Sequence, residues 1–174
     1  MHIRVIIQVE NRQKGVTIMA TNFRSVPVQA VCNTILKKSF TEKITVTPMK
    51  LQKLLYFIYR DFLQKYDCDL FSENFEVWTY GPVLSSVYDE FKSFKASRIT
   101  KFAKNADGSA SIIAEDGNAK EIIEIIDSVW ERYKTYTGIE LSNLTHRPDS
   151  AWYKAHRKGD SILNKTDIRD DHVG

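Results

Sequence analysis

His146 and His156 are the side chains best suited to acid–base or metal chemistry in this chain, because an imidazole exchanges its proton near neutral pH and Asp149 stands between them. They lie ten residues apart, which is not a metal-ligand spacing. Asp89, Glu90, Glu121 and Glu124 fall on polar faces of expected helices and read as solvated charges rather than as a paired acid and base. The seven glycines never cluster into a phosphate-cradling loop, and no GxSxG elbow occurs. Nothing nominates a nucleophile. The chain reads as a non-enzyme with no cofactor and no metal.

One stretch has the makings of a nucleic-acid contact. Lys92, Lys95, Arg98, Lys101 and Lys104 follow one another without an intervening acid and alternate with Phe94 and Phe102. Cations neutralise phosphate and aromatic faces stack bases, so a transcriptional regulator using residues 92–104 is the alternative reading. Lysines at a helix end, or along an exposed strand, explain the same pattern more simply.

The whole chain sets bounds on both readings. Its 174 residues, 43% hydrophobic and 27% charged, suit one globular domain with a buried core. A net charge of +3 is too small to imply a nucleic-acid or membrane partner by itself. No apolar run approaches the roughly 20 residues that cross a bilayer. Cys32 and Cys68 stand too far apart for a disulfide framework or a cysteine-built zinc site, which fits a cytoplasmic location. Lys14-Gly15-Val16 is compatible with a purine-rich ribosome-binding sequence just before Met19. We therefore expect residues 1–18 to be an upstream extension, 19–165 the domain, and 166–174 a polar tail that frays. If residues 1–18 are part of the protein, HIRVIIQVE is expected to be a short strand.

The elements that must position any site are mostly helical. Apolar residues from Val28 to Leu36 recur at helical spacing. Thr47-Pro48 is a helix start, and Leu51, Leu54, Leu55, Ile58, Phe62 and Tyr66 form a stripe that Phe57, Tyr59 and Leu63 broaden beyond a surface helix. That helix should lie at the centre. Residues 75–80 alternate as a strand that Gly81-Pro82 stops, and residues 84–94 form the next helix. Residues 99–103 and 109–114 flank an Asp-Gly turn signal and are expected to pair as strands. A capping box at Asn118 and Glu121 opens a helix that Gly138 ends, followed by short helices over 140–146 and from Pro148 to Lys158. The expected fold is α+β and predominantly helical, a bundle-like helical core with a small antiparallel sheet of two to three strands.

Three segments then carry a resemblance: KLQKLLYFIY at 50–59, the run from Phe75 to Phe91 containing WTYGPV and then VYDEF, and LSNLTH followed by Pro148 and Trp152. Together they resemble the Panacea domain family, typified by SocA-like antitoxins and phage-associated GepA-like proteins, over roughly residues 28–152. The family sets Pro directly before Trp, whereas Asp149-Ser150-Ala151 separate them here.

The resemblance implies an antitoxin of a bacterial or prophage toxin–antitoxin system that neutralises a cognate toxin, encoded by an adjacent gene, by direct protein binding. Some members instead deliver the toxin to a cytoplasmic protease. It nominates Trp78, Tyr80, Gly81, Pro82, Val83, Tyr88, His146 and Trp152 as partner-binding or motif residues. Core packing, a simple turn and a helix cap remain open as their alternative roles.

Overall fold

The computed structural model describes residues 25–114 and 119–174. The strand expected near the amino end, the proposed start at Met19 and the Asn118 cap lie outside them. Seven α-helices form among the described residues: α1 Val28–Glu42, α2 Pro48–Tyr66, α3 Ser85–Phe91, α4 Ala119–Tyr133, α5 Gly138–Thr145, α6 Ala151–Lys158 and α7 Lys165–Arg169. A two-stranded antiparallel sheet, β1 Glu76–Trp78 and β2 Gly81–Val83, completes the expected α+β, predominantly helical fold.

Thr47 caps α2 by accepting the Lys50 amide at 3.3 Å, and Pro48 opens the helix without wasting a donor. The helix then runs through the middle of the molecule. It touches α1, α3, α4, α5, α7 and β2, and its side chains from Lys50 to Arg60 are buried without interruption. Tyr56, Phe57, Phe62, Phe71, Phe75, Phe91 and Trp130 fill the core around it.

Five sequence expectations change. Gly81-Pro82 does not stop a strand. It begins β2, which folds back on β1 with Trp78 opposite Gly81 and Val77 opposite Pro82. Proline fits because a position without a donor is tolerated where the ladder does not need one. Residues 99–103 and 109–114 do not pair as strands. Their turn forms, with the Asn105 amide donating to the Ser109 carbonyl, but the flanking backbone is taken by α1 instead. The Asn33 amide bonds both the N–H and the carbonyl of Ala103, and the Thr34 hydroxyl accepts the Ile113 amide. Beside β1 lies the 161–163 segment, with Glu76 bridging Ile162.

Gly138 does not end α4. It is the first residue of α5, which Thr137 and Glu140 open with a reciprocal capping box. Similarly Ser150, not Pro148, caps α6, while Gly159 closes that helix in a left-handed conformation.

The tail does not fray. After α7 the chain inserts Asp171, fully buried, against α2. Its carboxylate accepts from the Tyr56 hydroxyl, the Ala151 amide at 3.0 Å and the Val173 amide at 3.0 Å, with the Arg60 guanidinium 4.0 Å away. Arg60 also donates to the Val173 carbonyl, and Gln64 to the carbonyls of Arg169 and Asp171. Removing this carboxylate strands buried donors on two elements. We expect Asp171→Ala to lower unfolding stability by about 3 kcal/mol, read as a shifted denaturant midpoint. A loss below about 1 kcal/mol would show that the tail is not part of the folded core.

Candidate functional site: a hairpin read through its carbonyls

The β1–β2 hairpin turns through Thr79 and Tyr80, and its backbone carbonyls point back into the protein. From α6, Trp152 Nε1 donates to the Trp78 carbonyl at 2.9 Å. From α5, His146 Nε2 lies 3.1 Å from the Thr79 carbonyl and the Ser142 hydroxyl donates to the Tyr80 carbonyl at 2.8 Å. From α2, Lys53 Nζ donates to the Pro82 carbonyl at 2.9 Å, while the Gln52 amide exchanges two bonds with Leu84, at 2.9 and 3.0 Å. Every one of these contacts is a side chain reading main chain. The frame is therefore fixed whatever side chains the hairpin carries outward.

Gly81 marks the tightest point. Its φ of +99° belongs to a region that side chains disfavour, and a β-carbon there would lie 2.5 Å from Thr145 Oγ1 and 2.9 Å from Lys53 Nζ. Thr145 is held in place by donating to the Ser142 carbonyl at 2.7 Å. Glycine is thus required by space as well as by conformation.

His146 is a support in this arrangement. Its Nδ1 lies 2.6 Å from the Ser142 carbonyl and its Nε2 faces Thr79, so both ring nitrogens meet acceptors. A neutral ring can donate to one of them and a protonated ring to both. Its ring lies against Trp152, with centroids 3.9 Å apart, and His156 stacks on Trp152 at 4.6 Å. Among the described residues no group of three or more His, Cys, Asp or Glu side chains gathers as metal ligands would.

The eight residues nominated from sequence come together here. Gly81, Pro82 and Val83 are buried, Trp152 is buried beneath the hairpin, and Trp78 packs edge-on to Tyr88 with centroids 4.8 Å apart. Tyr80 is different. It is 66% exposed at the hairpin tip, a large aromatic held out by a fixed backbone. Ile139, 67% exposed on the first turn of α5, lines one groove with it, Trp78 and Tyr88 line another, and Met49 lines both.

The basic segment does not gather in the same way. Lys92 pairs with Asp89 at 2.8 Å, Arg98 lies over Phe40, and Lys101 lies over Phe94. Phe94 and Phe102 pack against the core rather than offering free stacking faces.

Sequence reading missed Gln52, Lys53, Ser142 and Thr145. For Gln52 and Lys53 a signal was present, since a polar side chain inside a helix buried on every side must find a partner elsewhere.

The family described as Antitoxin SocA-like, Panacea domain, matches residues 51–153, from the second turn of α2 through the hairpin to α6. The chain belongs to the SocA-like antitoxin family. Antitoxin SocA of Caulobacter vibrioides (strain NA1000 / CB15N) is 30% identical over 131 residues, covering 74% of this chain and 70% of that protein. No solved structure matches. The matched region of this Panacea domain contains every side chain that holds the hairpin. Among the described residues, no helix is long and apolar enough to cross a membrane.

Lys53 is the most strained of these supports electrically. It is 1% exposed, and burial drives its ammonium from the ordinary lysine value of 10.5 to about 7. Below pH 7 the folded and unfolded chains both carry the proton, so the burial cost is present in full. Between about 7 and 10.5 the unfolded chain holds the proton that the folded chain has released, so stability rises with pH. We expect the stability of the wild type, minus that of Lys53→Met, to climb by roughly 1 kcal/mol per pH unit from pH 7 to 9 in parallel denaturant titrations. A pH-independent difference would contradict a buried, destabilised ammonium.

Proposed function

We propose that this Panacea protein is an antitoxin that neutralises a cognate toxin by direct contact through the surface around Tyr80. The observation that carries the reading is the outward Tyr80 ring on a hairpin whose carbonyls are bound from behind by three helices. An aromatic that is already immobilised loses little conformational freedom on binding, which is how a few residues come to dominate an interface. Tyr88, Ile139 and Met49 extend the apolar surface to either side. This function requires a shaped surface and no reactive group. Its bacterial or prophage toxin is expected from an adjacent gene, and both blocking and delivery to a cytoplasmic protease begin with this contact.

The test is co-expression with the toxic product of the adjacent reading frame. Wild-type protein is expected to restore growth and to co-purify with the toxin. Tyr80→Ala, which removes an exposed ring and should leave thermal stability unchanged, is expected to weaken the complex on the order of 30-fold, equivalent to about 2 kcal/mol. Undiminished binding by a folded Tyr80→Ala variant would move the interface elsewhere. A wild-type protein that neither rescues nor co-purifies would remove the antitoxin reading for that partner.

A further inference from the structure

The two grooves beside Tyr80 differ in charge. The groove on the α5 side is lined by Ile139, Ser142, Asn143 and His146 together with Met49 and the hairpin tip. The other, about 550 Å³, lies between the first turns of α2, the hairpin and Tyr88 of α3. Two lysines line it, Lys53 and Lys95, and no acidic side chain does.

Lys95 is the fixed positive charge of this groove, and Lys53 adds to it only while it holds its proton, below about pH 7. Lys95 is exposed and, unlike Lys92, has no carboxylate partner among the described residues. Lys53 Nζ has the Pro82 carbonyl as its single acceptor among them, which leaves two of three ammonium hydrogens without one. The Glu76 carboxylate beside this wall is taken up by the Trp78 indole N–H at 2.7 Å, so the unpaired Lys95 next to Met49, Trp78 and Tyr88 is complementary to a negative charge attached to an apolar group.

We propose that this groove seats an extended segment of the toxin in which a large apolar residue adjoins an Asp or Glu. The inference rests on the antitoxin reading above and specifies the chemistry of the partner. The apolar side chain lies against Met49, Trp78 and Tyr88, and the carboxylate faces Lys95. Nucleic acid fits less well. Arg98, Lys101 and Lys104 are not among the lining residues and do not extend a phosphate track.

The probes are the blocked peptides acetyl-Gly-Phe-Asp-amide and acetyl-Gly-Phe-Asn-amide and a short oligothymidylate, each titrated into the isotopically labelled full chain and followed by NMR. The Asp peptide should move the amide signals of Lys53, Trp78, Tyr88 and Lys95. The Asn isostere should bind on the order of tenfold more weakly, the effect of losing one charge-assisted contact. Lys95→Gly suits a backbone already at φ 51°, so it keeps the fold while removing the cation, and should reduce the Asp peptide to the affinity of its isostere. Equal affinities, shifts confined to other surfaces, or tighter binding of oligothymidylate at these same signals would overturn the proposal.

Toxin co-purification separates the two levels of inference. A wild-type complex undiminished by Lys95→Gly removes the acidic anchor and leaves the antitoxin reading standing. Selective peptide binding without any toxin complex does the reverse.

Discussion

Burying α2 on every side obliges each polar side chain along it to find a partner, since an unpaired amide or ammonium in the core costs several kcal/mol. The partners lie far away in sequence and belong to two separate segments. Gln52 and Lys53 take the main chain of the hairpin. Further along the helix, Tyr56, Arg60 and Gln64 take the carboxyl-terminal segment through Asp171 and its neighbours. The same helix thus builds the core, shapes the presented surface and fastens the tail. Its polar groups are the reason these segments have one position each.

The hairpin is held by a second set of contacts from α5 and α6, and these too reach backbone atoms. Fixing carbonyls rather than side chains separates the shape of the site from what it displays. Trp78, Tyr80 and Tyr88 can therefore face outward or across the surface without being needed to hold the turn. For the proposed binding role that division is useful: the scaffold is costly to change, and the exposed residues are not. Lys53 belongs to both roles, because its amine secures Pro82 and lines the groove beside it.

Much of this was legible in the chain. The Thr47-Pro48 start, the over-wide apolar stripe of α2 and the close of α6 at Gly159 are local signals, and they mark the elements correctly. The eight motif residues also converge on one place. What local reading could not supply is the long-range competition for backbone groups. The turn at 105–109 forms as its sequence suggests, yet Asn33 captures Ala103 from 70 residues away and no ladder follows. Gly81-Pro82 carries the signals of a stop, while its role as β2 depends on Lys53 and Thr145 in other helices. A polar tail looks frayed until Asp171 meets Tyr56 across 115 residues.

The account depends on the hairpin being rigid before any partner arrives. Native-state hydrogen exchange on the isolated protein addresses this directly, because the Val77 amide bonds the Ser161 carbonyl and the Leu84 amide bonds Gln52. Both amides should exchange nearly as slowly as those in the middle of α2, while the rest of the tip stays within a fixed frame. Exchange of Val77 and Leu84 at the rate of an unstructured chain would contradict a preorganised surface.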